Sequence, residues 1–181
     1  MKETTKLLLL SRQLAIEPDW DGFYRETLPQ VYNFFLYRTG NTQLAEDLAS
    51  ETFERTWSHR VKYRENQSKL RTWLFGIARN VFLEHLRANR RINHVELTKA
   101  LGDSEPENES SPIQSEESTW LKAVLDNLPA REQELISLKF CAALTNREIS
   151  IVARLSESNV GTILMRTLQK IRKQKEDSDG R

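Results

Sequence analysis

The sequence predicts an all-α protein: two small helical domains, a three-helix-type bundle and a helix-turn-helix, joined by a flexible acidic linker. Three observations predict it. Apolar residues recur at helical spacing, with no convincing period-two alternation. An acidic stretch with scattered Gly, Pro and Ser divides the chain. Near the C-terminus a short capped helix, a tight turn and a longer helix with a basic tip follow one another.

The 181 residues allow one ordinary domain or two small ones. Gly and Pro are too few, and large apolar residues too many, for collagen-like, mucin-like or wholly disordered classes. A single cysteine, Cys141, excludes an intramolecular disulfide framework and an all-Cys metal site. The early apolar run, Leu7 to Leu10, is too short for a signal peptide or a membrane span, so the chain reads as soluble and intracellular.

In the first half, Leu28, Val31, Phe34, Phe35 and Leu36 form a stripe that ends at Thr39-Gly40-Asn41, a helix stop and restart. A second helix, 42–59, places Leu44, Leu48, Phe53 and Trp57 among Glu46, Asp47, Glu51, Glu54 and Arg55. Residues 61–68 lose the pattern and read as a polar loop. A third helix, 69–91, carries Leu70, Trp73, Leu74, Ile77, Val81, Phe82 and Leu86, with Arg71, Arg79, Arg87, Arg90 and Arg91 making it basic. Trp57 and Trp73 fall on or near apolar stripes and are expected in the core.

The net charge of +1 hides a pattern. Residues 20–99 carry +4, residues 100–119 carry −6 and residues 120–181 carry +3. The acidic stretch has little to bury and its like charges repel, so it reads as a solvated spacer or as a functional linker. The domain boundaries read from this are an extension (1–19), a first domain (20–91), the linker (92–117), a second domain (118–175) and a tail (176–181).

Four shorter helices are predicted in the second half. The first covers 117–127, and the second begins at Pro129 and runs to about Cys141. The third starts with the capping box Thr145-Asn146-Arg147-Glu148. After the turn Arg154 to Ser158, the fourth runs to about Lys173. On it Ser158, Asn159 and Thr162 are polar residues suited to base edges, and Arg166 and Lys170 suit phosphates. Asn159 has the geometry to pair with adenine and the Thr162 methyl to meet a thymine methyl. An ordinary amphipathic terminal helix with a basic end also fits this spacing. The loop ahead of the third helix, with Tyr63, Arg64, Asn66 and Ser68 on a basic platform, suits stacking and hydrogen bonding to unpaired bases. No enzyme site emerges: His59, His85, His94 and Cys141 have no metal-ligand spacing, and neither a phosphate-binding Gly loop nor a nucleophile–base pair is present. No metal or other cofactor is expected.

The strings Leu44-Ala45-Glu46-Asp47-Leu48, Glu51-Thr52-Phe53, Trp57 and Arg71-Thr72-Trp73-Leu74-Phe75-Gly76-Ile77-Ala78-Arg79-Asn80 closely resemble region 2 of bacterial extracytoplasmic-function sigma factors. Leu128-Pro129-Ala130-Arg131-Glu132, Glu148-Ile149, Leu155-Ser156, Val160, Leu164 and Arg166 resemble their region 4. The resemblance covers about residues 20–91 and 118–173. It implies a cytoplasmic bacterial protein that joins core RNA polymerase and directs promoter-specific initiation, for a stress or envelope-signal regulon and under an anti-sigma factor, without membrane insertion. Asp47, Glu51, Phe53, Glu54 and Trp57 fall in the polymerase-binding stretch. Tyr63, Arg64, Asn66, Ser68, Arg71, Arg79 and Asn80 fall where such factors meet the −10 promoter DNA. Ser158, Asn159, Gly161, Thr162 and Arg166 fall on the −35 recognition helix. The acidic linker would thread the polymerase's positively charged channels in place of phosphates.

One departure stands out. Many relatives have Lys and Arg where this chain has Gly161 and Ile163, which removes two phosphate contacts but lets the backbone approach DNA closely. The +3 charge of this half predicts poor DNA binding by the free protein. Two rivals use less of the sequence. A conventional helix-turn-helix regulator leaves the strings in residues 44–80 unexplained. A protein-only helical adaptor leaves the basic third helix unexplained.

Overall fold

The computed structural model describes residues 18–63, 69–96 and 116–179. Seven α-helices account for nearly all of them, and no strand occurs among the described residues.

Helix α1 (Trp20–Thr39) starts where the Asp19 carboxylate accepts the Gly22 N–H at 2.9 Å. It stops at Gly40, whose φ of 64° lets its N–H turn back to the Leu36 carbonyl. Asn41 then caps α2 (Thr42–His59) by accepting the Leu44 N–H at 2.8 Å. The short connection folds α2 back against α1. Helix α3 (Leu70–Glu96) closes the bundle.

Its core takes Val31, Phe34, Phe35, Leu48, Leu74, Val81 and Phe82 from the predicted stripes and adds Phe75, which lies outside them; all are buried. The Phe34 ring stands edge-on to Phe35 at 5.2 Å and to Phe75 at 5.8 Å. Thr27, Thr52 and Thr56 are buried as well, each hydroxyl donating to the carbonyl four residues earlier.

In the second half, α4 (Glu116–Asp126) is followed by α5 (Ala130–Ile136), which passes into a π-helical turn (Ser137–Cys141). The single helix expected from Pro129 to Cys141 is therefore two segments. The wider turn carries the chain toward Ala143, whose φ is 52°. The capping box of α6 (Asn146–Ala153) is complete: Thr145 Oγ1 accepts the Glu148 N–H, and Glu148 Oε2 accepts the Thr145 N–H at 2.9 Å. Arg154 ends α6 in the left-handed region, and α7 (Glu157–Asp179) follows. Two of the predicted ends fall short. The third helix runs on to Glu96 and the last to Asp179, because polar residues continue a helix whose apolar stripe has ended.

Side chains of α5 tie the second unit together. Gln133 donates to the terminal carbonyls of α4, and Arg131 donates to the Ala153 carbonyl at 3.0 Å at the end of α6. Glu132 accepts from Lys170 at 2.8 Å and Thr167 at 3.0 Å on α7.

The two units are packed together. Helix α1 lies against the π turn and α3 against α6, and their buried residues form one continuous apolar cluster. Residues 97–115, which hold most of the expected acidic linker, lie outside the described residues.

Candidate polymerase and DNA faces

On α2, Asp47 and Glu54 are exposed seven residues apart, on one outward strip. Glu51 is half-buried and engaged: Arg55 holds its carboxylate and also reaches Glu84 of α3 at 2.7 Å. The hydrogen bond that Arg55 donates to Glu84, with the two carboxylate charges, raises the Arg55 pKa.

Phe53 leans toward α1, its ring 4.6 Å from Tyr24. Trp57 corrects the core assignment, since it is 54% exposed. It lies in the last turn of α2, where Trp20 at the very start of α1 meets it edge-on at 6.3 Å. The Arg60 guanidinium covers its other side, 4.0 Å from the ring. Trp20, Phe23, Tyr24, Phe53 and Trp57 thus line an open aromatic pocket beside the acidic strip.

Ahead of α3, the Tyr63 ring lies tilted against half-buried Trp73 with centroids 5.3 Å apart, so Trp73 too lies nearer the surface than its stripe implied. Arg64, Asn66 and Ser68 lie outside the described residues. Arg71 pairs with Glu26 of α1 at 2.5 Å, and Asn80 is exposed. Arg79 points into the seam between the units and donates to Glu134 of α5 at 2.5 Å.

The seam is a polar cluster that the sequence did not announce. Glu134 is 7% exposed and also accepts from Arg131. Arg38 lies with its guanidinium 4.5 Å above the Phe82 ring, its Nε and Nη1 buried without hydrogen-bond partners. Burial lowers its pKa, against the upward pull of the Glu134 charge. Next to it, burial raises the Tyr37 hydroxyl to about 12, and burial raises the Cys141 thiol to about 11. Hydropathy patterns find core positions, but they do not pair residues 55 positions apart.

On the helix-turn-helix, Ser156 caps α7 by accepting the Asn159 N–H at 3.2 Å. Ser158, Asn159 and Arg166 are exposed, and Thr162, half-buried, falls on the same face at i+4 from Ser158. The Thr162 hydroxyl donates to the Ser158 carbonyl at 3.0 Å, so its hydrogen-bond donor is spent locally. Gly161 faces α6 instead of the outside: a Cβ there would meet the Asn146 side chain at 3.6 Å. Val160, Leu164 and Thr167 dock the helix.

Among the described residues no group of three or more His, Cys, Asp and Glu is placed to hold a metal ion. No helix there is long and apolar enough to cross a membrane.

Residues 23–92 match the family described as Sigma-70 region 2, and residues 124–173 match Sigma-70, region 4, so both units are of the sigma-70 class. The chain is 32% identical over 154 residues to the ECF RNA polymerase sigma factor SigM of Bacillus subtilis, covering 84% of this chain and 92% of the relative. It is 28% identical over 182 residues to SigX of the same organism, covering 97% and 86%. The fold is similar to that of the sigma factor RpoE from Bartonella quintana, solved with the anti-sigma factor NepR. The TM-score is 0.70 at 20% identity, over 86% of this chain and 95% of that one. The chain belongs to the extracytoplasmic-function sigma factors of the sigma-70 family. It is a transcription initiation factor that binds core RNA polymerase and promoter DNA.

Proposed function

We propose that the acidic strip and aromatic pocket of α2 form the polymerase-binding face, with Asp47, Glu54 and Trp57 as its exposed contacts and Glu51 and Phe53 behind them. Helix α3 and the loop before it read and melt the −10 element, through Tyr63, Arg64, Asn66, Ser68, Arg71, Arg79 and Asn80. Helix α7 reads the −35 element through Ser158, Asn159, Thr162 and Arg166. Gly161 faces α6 and leaves the DNA contacts to its neighbours. The protein works in the cytoplasm and catalyses no reaction of its own.

The observation that carries this reading is the pairing of an exposed acid-and-aromatic face on one unit with an exposed polar recognition helix on the other. A conventional operator-binding regulator accounts for the second and leaves the first without a partner. An anti-sigma factor covering these faces restrains the protein until a signal arrives, a reading supported by the fold neighbour solved with NepR. Run-off transcription with core polymerase and genomic fragments is the test. Promoter-dependent products that require both components are expected, and their absence overturns the assignment.

A further inference from the structure

Arg60 is the C-cap of α2 and opens a 3₁₀ turn (Arg60–Lys62). The Tyr63 N–H donates to its carbonyl at 3.1 Å, which closes that turn and fixes where the Arg60 side chain begins. From there the side chain folds back over the helix. Nη1 donates to the Trp57 carbonyl at 2.8 Å, one of the carbonyls that a helix end leaves without an internal partner. The guanidinium carbon stands 4.0 Å from the centre of the Trp57 ring. One planar, rigid group therefore bonds the backbone of Trp57 and covers its indole at the same time.

Trp57 is an exposed side chain at a helix end, and it lines the aromatic pocket with Trp20, Phe23, Tyr24 and Phe53. Trp20 meets it edge-on, and Trp20 in turn meets Phe23 edge-on at 6.3 Å, so the angle of the Trp57 ring carries into the pocket wall. An indole free to turn has to be ordered when a partner docks, and that ordering weakens association. A cation near a helix C-terminus also suits the helix dipole, which would give Arg60 a purely structural use. That use requires no aromatic neighbour, whereas here the guanidinium lies on the ring.

We propose that Arg60 is a positioning residue of the polymerase-binding face: it sets the Trp57 ring in the orientation that core polymerase takes, and acts through Trp57 rather than by its own contact. This rests on Trp57 being a polymerase contact.

The test is a double-mutant cycle on the full chain, with affinity for core polymerase as the first readout. Trp57→Ala should lose at least about tenfold, as an anchoring tryptophan does. Arg60→Ala should lose about fivefold, the effect of one large side chain left to be ordered on binding. The double variant should match Trp57→Ala within about twofold, because Arg60 then has nothing to position. The second readout uses no polymerase. In protein labelled with fluorinated tryptophan, the Trp57 fluorine resonance is identified by its loss in Trp57→Ala. It should shift in Arg60→Ala, while the Trp120 resonance stays in place and reports an intact second unit. An unmoved Trp57 resonance in Arg60→Ala overturns the proposal. So does an Arg60→Ala loss of equal size with and without Trp57, or no loss at all where Trp57→Ala weakens binding. An affinity unchanged by Trp57→Ala strikes the polymerase-face reading, and the binding half of this proposal with it, but leaves the resonance shift standing. Should Arg60→Ala not fold, Arg60→Gln replaces it in every arm, since it keeps a donor for the Trp57 carbonyl without the guanidinium face.

Discussion

Arg55 joins α2 to α3 by reaching Glu84 at 2.7 Å while it holds Glu51 four residues earlier. The acid at position 51 is therefore already matched inside the bundle, whereas Asp47 and Glu54 face solvent. Charge reversal should separate the two roles. Asp47→Lys with Glu54→Lys is expected to lower core-polymerase binding at least tenfold and leave the melting temperature within about 2 °C, since exposed charges contribute under about 1 kcal/mol to folding. Glu51→Lys should lower the melting temperature as well, by placing a cation against Arg55. Pull-down with core enzyme and calorimetry check both.

Two helix glycines should be improvable. A Cβ at Gly76 in α3 meets nothing within 4 Å, and one at Gly161 in α7 makes ordinary contact at 3.6 Å. Each glycine-to-alanine change should add about 1 kcal/mol, or roughly 2–4 °C for a chain of this size. Gly22→Ala should do the opposite, because its Cβ would fall 2.3 Å from Oδ2 of Asp19, the residue whose Oδ1 caps α1. Thermal melts of the three variants decide it.

The capping box makes stability depend on acid. Burial tends to raise the Glu148 pKa, but the Thr145 backbone and side-chain hydrogen bonds and the Lys69 charge outweigh it and lower the net value. The lowering means that the folded state favours the carboxylate. Its contribution is complete above the unfolded pKa of about 4.3 and is lost as pH falls through the lower folded value. Glu132, lowered chiefly by its Lys170 hydrogen bond, acts in the same direction. Glu148→Gln should therefore flatten the fall in melting temperature between roughly pH 5 and 3. Thr145→Ala should cost about 1 kcal/mol near neutral pH.

Cys141 should react slowly. Its thiol titrates near 11 against an ordinary 9.0, because burial disfavours the thiolate. Its alkylation rate in the folded protein should climb toward a midpoint near that value, whereas the unfolded chain turns over near the ordinary one. The same shift makes stability decline as pH rises from about 9 toward 11, with Tyr37, raised to about 12, extending the loss. A midpoint near 9 in the folded protein would show that the thiol is in contact with water.

The sequence by itself determined the seven helices, most of their caps and the buried stripes. Gly40, Asn41 and the Thr145–Glu148 box act within a few residues, and helical periodicity marks a buried face whatever that face meets. It also supplied the strings that place the chain among sigma factors. The tertiary structure decided which long side chains on those faces are already engaged. Trp57 lies exposed because α1 ends its cover at Trp20, Glu51 is matched by Arg55, and Arg79 meets Glu134 across the seam. Each depends on where another helix stops or docks. Such pairings are set by packing between distant segments, and the local pattern of polar and apolar residues carries no record of them.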